Sequence, residues 1–564
     1  MSALTLKGAT LPEILLNLEN CTRWGARFVA PNEEATFYPY QDVLHRAQKA
    51  AAALQARGLQ RGDRVALILS TSIEFFDSLL GVQLAGGIPA ALYPPFRLDE
   101  YFARLRKMLT KIGAKYLITE GRIRKLLGPG VVGVESLREV LEAKDLQTGG
   151  GRWQPVDVDP EQPAFLQFSS GTTVEPKAVM VTHTNLLANL TMMQECLVYR
   201  GEDEVDNGCV CWLPLYHDMG LVGCLYLGMY YPGTVTYMGP DTFLARPAIW
   251  LRTLSIKDQE MEGVDLSRWR AALNGAEPIE PDGVQRFTER FARWGFQPTA
   301  MTPVYGLAEA GLGVTFTDLD DLPRFTEFSR EGLWNGGTAH PGPGRRIVSV
   351  GRALPSVEVA IFDDQEQQVP DGRVGRIWTK GPSITKGYWE SPELTANMIH
   401  GDWLDTGDLG FFHEGELYIA GRAKDLIIIR GRNYAPQEME ELLLDVEGVR
   451  KGCTAAVSTM VEGEGEQLII LAEKDPRSKR TEEEVIAEIN HCILTGLSLK
   501  PRDVELLEPG TLPRTSSGKL RRSEALRQFL AGELVPPEKV NALKILFELG
   551  KSQLAWAKFR AEKK

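Results

Sequence analysis

Between residues 41 and 130 the apolar positions change period several times. Residues 40–57 are rich in Ala, Gln, Leu and Arg, with apolar side chains at helical spacing, and Gly58 stands where a C-terminal cap glycine would. The stretch RGDRVALILS then reads as a turn and a buried strand, residues 73–84 as a helix, and GGIPAALYPP as a strand punctuated by proline. Such alternation predicts an α/β architecture with parallel strands. The pattern shifts after Gly421. Residues 425–471 read as short strands with one helix at 436–444, and residues 481–530 as another helix and a strand, enough for a separate α+β unit. Residues 539–564 predict a basic amphipathic helix with Val540, Leu543, Leu546, Phe547 and Leu554 on one side. Apolar stripes are usually core, so this helix is expected to pack on the protein's own domain, with docking to a partner as the alternative. No internal repeat or low-complexity tract interrupts the 564 residues.

Composition narrows the class. Hydrophobic residues make up 43% and charged residues 24%, and the formal charge is −12. That balance lacks the basic footprint of a nucleic-acid binder. It leaves room for a small phosphate ligand, because a nest of backbone amides binds phosphate inside an acidic protein. The seven cysteines show no Cys-x-x-Cys spacing, and Cys209 and Cys211 stand too close for a usual zinc pair, which is the usage of reduced intracellular thiols. No apolar run has the length of a signal core or a membrane span, so the expectation is a cytoplasmic protein without an integral membrane segment.

The candidate chemistry begins at residues 165–181, FLQFSSGTTVEPKAVMV. An apolar strand runs into Ser169, Ser170, Gly171, Thr172 and Thr173, whose small side chains leave several backbone N–H groups free to hold phosphate oxygens. Lys177 adds compensating charge, and the spacing is not that of a Walker loop. Further segments follow in order: LPLYHDMG (213–220), NGAEP (274–278), YGLAE (305–309), DTGDL (405–409), GRAKD (421–425) and LPRTSSGKL (512–520).

Together these segments resemble the ordered signature of the adenylate-forming, AMP-binding superfamily, over nearly the whole chain. The resemblance implies a large N-terminal adenylating domain (1–421) with stacked α/β/α/β/α layers and a distorted barrel. A small mobile α+β C-terminal lid (422–535) and a helical tail (536–564) would follow. It implies that Ser169 to Thr173 and Lys177 take the phosphates of ATP, and that His217 gates the carboxylate pocket. Asn274, Gly275, Ala276, Glu277 and Pro278 would face the adenine, Tyr305 and Gly306 would flank it, and Glu309 would hold Mg²⁺, a hard carboxylate suiting a hard cation. Asp408 would accept from the ribose hydroxyls, Arg422 would reach the ribose and phosphate region, Lys424 would be the interdomain hinge and Lys519 would enter the site from the lid.

The implied chemistry needs these groups. A carboxylate attacks the α-phosphorus of ATP, forming an acyl adenylate and releasing pyrophosphate. Both reactants are anions, so catalysis is positioning plus electrostatic stabilisation, and closure of the lid brings Lys519 in. No general base is needed, because the carboxylate is ionised at neutral pH.

Within the superfamily, LPLYHDMGLVG, DLSRWRAALNGAEP, VSVGRALPSVEVAIFD, GPSITKGYW and KDLIIIRGRNYAPQEME look like fatty acyl-AMP ligase sequences. The long stretch 316–347 lies where such ligases carry an insertion that hinders the CoA-dependent step. The resemblance therefore implies a fatty acid substrate and an acceptor that is an acyl carrier protein, or the carrier domain of a polyketide or non-ribosomal peptide synthase. An acyl-CoA synthetase is the alternative. Two departures bear on a third reading, a catalytically weak acyl-adenylate-binding homologue with a regulatory or scaffolding role. Val174 and Ala178 replace glycines of the phosphate signature, and only residues 256–263 stand where the family has a strand and a helix lining the acyl tunnel.

Overall fold

The computed structural model describes residues 7–95, 98–149, 151–168, 175–197, 208–245, 264–334, 336–429, 432–461, 465–515, 518–536 and 542–563. Helices Tyr40–Ala56 and Ile73–Leu84 form where the periodicity places them. Their faces meet closely because the residues between them are small. Ala47, Ala50 and Ala51 are fully buried, and a β-carbon on Gly81 would lie 2.6 Å from the Ala50 methyl. Gly58, with φ +82°, takes the left-handed turn just past the first helix.

These helices cover a six-stranded sheet. Strand Arg64–Ile68 pairs in parallel with Ile88–Ala91 and with Tyr116–Thr119; Glu139–Glu142 extends the sheet beyond Tyr116–Thr119. Pro163–Phe168 joins Ile88–Ala91 in parallel and Ala178–Thr182 returns antiparallel. The carboxyl end of Pro163–Phe168 leads directly into residues 169–173, as ligand loops do in parallel sheets. A second sheet orders Ala35–Pro39, Gly25–Val29, Val235–Met238 and Cys209–Cys211; a third orders Ala272–Asn274, Met301–Leu307, Leu312–Phe316 and Arg352–Ala353. Among the described residues Cys209–Cys211 and Ala272–Asn274 are sheet edges, and they expose Val210 at 49% and Leu273 at 41%. The short 256–263 segment lies outside the described residues. A five-stranded antiparallel sheet from Glu358–Phe362 to Glu416–Arg422 completes the large N-terminal domain.

The smaller C-terminal domain has its own apolar clusters, around Met439, Ile470 and Ile489 on one side and Ala455, Ile469 and Leu512 on the other. Two of its strands are longer than the sequence pattern indicated. Val449–Val461 and Gly465–Lys474 form an antiparallel hairpin, with Asp503–Leu507 added in parallel. Hairpin pairing sustains the run from Thr454 to Val461, and the register breaks between Val449 and Thr454, where Lys451 and Gly452 are exposed. The first helix of this domain is Pro436–Leu442, and a helix at Arg522–Leu530 was not legible in the pattern. Thr481 and Glu484 form a complete capping box on helix Glu482–Leu497.

The tail helix Ala542–Glu562 corrects the apolar-stripe reading. It packs on the chain itself, yet Leu546, Phe547 and Leu554 are 63–75% exposed. The buried face is Glu548, Ser552 and Phe559. Ser552 Oγ accepts from the Gly128 N–H at 3.0 Å, and Trp556 Nε1 donates to the Arg124 carbonyl at 3.0 Å. Lys563 Nζ donates to the carbonyls of Val134 and Glu135. The docked face therefore combines hydrogen bonds to the backbone of residues 124–135 with burial of Phe559. The chain thus leaves the C-terminal domain and returns to the large domain. Among the described residues no helix is long and apolar enough to cross a membrane.

Two measurements test this packing. Phe559, 6% exposed against Leu105 and Leu127, is expected to cost about 3 kcal/mol when replaced by Ala, seen as a lower melting temperature. His183 is 2% exposed, and its Nδ1 accepts the Leu11 N–H at 3.1 Å. Burial pushes its pKa down from 6.5 to about 4, so the unfolded chain takes up the proton first. Stability from this group is fully present above pH 6.5 and falls by up to about 3 kcal/mol as pH drops toward 4. In melting curves across that window, His183→Asn is expected to flatten the dependence.

Candidate active site

The large domain supplies three connected groups of side chains. The first is the turn at His217. Its ring Nδ1 lies 2.7 Å from Asp218 Oδ1, which also accepts the Met219 N–H at 2.8 Å. Burial works to raise the Asp218 carboxyl, but the charges of His217 and Lys519 and the Met219 N–H outweigh it and hold the group below its usual range. The helical segment after the turn widens to a π-helix over Leu221–Tyr226, a distortion common beside functional sites. Gln167, 4% exposed, donates to the Tyr216 carbonyl at 2.9 Å. It ties the strand before the phosphate loop to the His217 turn, a link sequence reading missed. Ser169, Ser170, Gly171, Thr172 and Thr173, like Val174, lie outside the described residues. Ala178 is fully buried in a regular strand, so its methyl meets no backbone strain.

The second group surrounds Glu309. The Tyr388 hydroxyl donates to Glu309 Oε1 at 2.8 Å, and the Lys177 ammonium lies 5.2 Å above the Tyr388 ring. Burial, then repulsion from Lys424 and Arg422, lowers the Lys177 pKa against the attraction of Glu309. The Lys177 ammonium is thus held at a cost that an added anion would relieve. Tyr388 also went unassigned in the sequence; the GYW within GPSITKGYW was its only signal.

The third group is built on a hairpin. Strands Trp403–His413 and Glu416–Arg422 pair Asp408 with Arg422, which explains how two distant positions meet. Arg422 Nε donates to Asp408 Oδ1 at 3.0 Å and Tyr305 Oη donates to Asp408 Oδ2 at 2.7 Å. Burial and then the Asp408 charge push the Tyr305 phenol well up, keeping it a donor. Beside it, Asn274 ends a strand parallel to Met301–Leu307. A β-carbon on Gly275 would sit 2.6 Å from the Val304 carbonyl, and one on Gly306 only 1.8 Å from that of Leu312, so neither position admits a side chain. Ala276 holds φ +71°, a strained backbone in an exposed loop with Glu277 and Pro278.

The C-terminal domain closes over these groups. The Thr515 N–H donates to the Lys519 carbonyl at 2.8 Å and the Lys519 N–H donates to Thr515 Oγ1 at 3.0 Å, which shapes the turn carrying Lys519. The Lys519 charge reaches the Asp218 carboxyl across the boundary. Lys424 lies in a single turn, Ala423–Asp425, between the domains' strands. Arg345, 7% exposed on the large domain, donates to Glu441 at 3.2 Å and to the Ala420 carbonyl at 2.9 Å, helping to seat helix Pro436–Leu442.

A family model described as AMP-binding enzyme matches residues 19–389. This chain belongs to the AMP-binding enzyme family. The medium-chain-fatty-acid–[acyl-carrier-protein] ligase JamA of Moorena producens is 32% identical over 550 residues, covering 89% of this chain and 91% of JamA. A putative acyl-CoA synthetase of Caulobacter vibrioides is 33% identical over 534 residues, covering 88% of this chain and 90% of its own length. A solved structure from studies of fatty acyl-adenylate ligases of E. coli and L. pneumophila superposes with TM-score 0.87 at 29% identity, covering 94% of this chain and 99% of the other.

For an AMP-binding enzyme the joint at Asp408 is open to direct test. Asp408→Asn removes the charge that orients Tyr305 and Arg422. AMP affinity in calorimetric titration is expected to fall about tenfold or more, the scale of a lost charged hydrogen bond. Unchanged affinity would show that the nucleotide does not use this joint.

Proposed function

We propose that this AMP-binding enzyme is a fatty acyl-AMP ligase that passes its acyl group to a carrier-protein thiol. The observation that supports the reading is the reach of the Lys519 charge from the small domain to the Asp218 carboxyl next to His217. The fatty carboxylate attacks the α-phosphorus of ATP, the bond to the β-phosphate oxygen breaks, and acyl-AMP and pyrophosphate result. Lys519 and Lys177 offset the charge that builds on the phosphoryl oxygens, and the Asp408 joint holds the ribose end of the nucleotide. His217, braced by Asp218, gates the acyl carboxylate. A phosphopantetheine thiolate then attacks the acyl carbonyl and AMP leaves.

Magnesium fits the donors present. Glu309 gives one carboxylate oxygen to the Tyr388 hydroxyl and keeps the other, and no cluster of three or more His, Cys, Asp or Glu ligands occurs among the described residues. A cation held by one carboxylate and completed by nucleotide phosphates and water is the usual magnesium arrangement. When bound, it would neutralise the phosphate charges. Lys424 is the hinge in this reading, with the lid running from about residue 422 to 535. The reduced-thiol usage supports a cytoplasmic setting.

The test is ATP–pyrophosphate exchange over a panel of fatty acids, followed by CoA or a phosphopantetheinylated carrier protein. Exchange, no acyl-CoA and acyl transfer to the carrier are expected; acyl-CoA formation would instead favour the synthetase reading carried by the Caulobacter relative. Lys519→Ala is expected to keep its melting temperature, because the side chain is only half-buried, and to lose exchange by about 10²–10³-fold. Normal exchange in that variant would sink the role of Lys519.

A further inference from the structure

The turn that carries Lys519 is held from outside as well as from within. Its base is anchored at Leu512, whose N–H donates to Glu473 Oε1 at 3.0 Å. Glu473 is 1% exposed, and its other oxygen accepts from Arg450 Nη1 at 2.8 Å. Arg514 pairs across the turn with Leu520 as an isolated antiparallel bridge, and the Arg521 N–H donates to the Pro513 carbonyl at 2.9 Å. The Arg514 side chain then forks. Its Nη1 donates at 2.8 Å to the carbonyl of Gly518, the residue before Lys519. Its Nη2 donates to the Gly452 carbonyl at 2.6 Å and lies 3.4 Å from Cys453 Sγ.

The hold on Gly452 follows from the register of the hairpin. Strands Val449–Val461 and Gly465–Lys474 pair continuously from Thr454 onward, and Gly452 lies in the break before it. A residue in such a break leaves the ladder, which makes its carbonyl available to a side chain. The turn itself needs an external restraint. Gly518 takes φ +90°, and a β-carbon there would meet nothing within 4 Å, so neither side chain nor packing fixes the backbone next to Lys519. A planar guanidinium can join two carbonyls on separate segments in one fixed geometry, whereas a lysine ammonium on its flexible stem cannot.

We propose that Arg514 is a positioning residue for adenylation: its guanidinium clamps the Lys519 turn to the Gly452 bulge of the hairpin and so sets where the Lys519 ammonium stands. The buried Glu473 fixes the base of the turn at Leu512, and Arg514 fixes its far side at Gly518. A shift of about 1 Å in a group that stabilises transition-state charge costs up to about 10²-fold in rate. Arg514 touches no reacting atom and acts through Lys519. The consequence for rate rests on the ligase reading, in which Lys519 offsets charge on the phosphoryl oxygens; the clamp itself does not.

Full-length Arg514→Ala and Arg514→Lys chains are compared with the wild type in two assays. The first is amide hydrogen exchange without substrate, read by mass on the peptide spanning residues 513–521. Deuterium uptake there is expected to be about tenfold faster in both variants. The melting temperature is expected to hold, because Arg514 is exposed. The second assay is fatty-acid-dependent pyrophosphate exchange. In Arg514→Ala its kcat is expected to fall about 10–100-fold while KM for ATP and fatty acid stays the same, and Arg514→Lys is expected to lie nearer to Ala than to the wild type. On a Lys519→Ala background, Arg514→Ala is expected to cost nothing further, which a general disturbance of the domain would not give. Unchanged deuterium uptake, unchanged kcat, a loss confined to KM, or the same fold-loss on the Lys519→Ala background overturns the proposal. A wild-type chain that exchanges no pyrophosphate with any fatty acid sinks the ligase reading alone, because deuterium uptake decides the clamp without activity.

Discussion

The site is organised by a cluster of interacting charges. Lys177 is repelled by Lys424 and Arg422 and drawn by Glu309, while Arg422 is itself paired with Asp408 and lies near Asp425. Burial and the neighbouring cations make the Lys177 ammonium costly in the bare chain; a nucleotide's phosphates would relieve it. The surrounding structure keeps these cations from drifting apart. Lys177 is held over the Tyr388 ring, and Arg422 by its bond to Asp408 on the facing strand. Lys424 is confined to a one-turn connection. The six-stranded sheet and the hairpin of the large domain serve as the rigid mount for this arrangement.

Closure of the small domain extends the same logic. The Lys519 charge reaches the Asp218 carboxyl from that domain. The seat of the lid is itself an ion pair. Arg345 is nearly buried and meets Glu441, an interaction that defines a geometry while adding little net stability, since both ions regain water when parted. A seat of that kind suits a domain that must also leave. The tail helix adds a tether of another sort, hydrogen-bonded at Gly128 and Arg124, which returns the chain to the large domain beyond the lid.

Some expectations failed for reasons that lie in packing. The apolar stripe of the tail named Leu546, Phe547 and Leu554, which face solvent, because the docked face is instead the one carrying Ser552, Trp556 and Phe559. The strands after Gly421 grew longer than their local pattern because each hairpin arm supplied the other's partner. Gln167 and Tyr388 were invisible as site residues, since a glutamine ending a strand and a tyrosine after a glycine carry no local mark of what they touch.

The sequence by itself determined the α/β alternation, the two-domain order and the identity of the charged residues, because period and residue type are local properties. Helices Tyr40–Ala56 and Ile73–Leu84 were legible in that way, while Asp408, Arg422 and Lys519 were singled out by the resemblance of their motifs to a family. Only the tertiary structure decided which of them meet. Asp408 faces Arg422 through strand register, and Glu309 is braced by a tyrosine 79 positions away. Contact between distant positions depends on how sheets stack and where the chain turns back, and no local pattern encodes it.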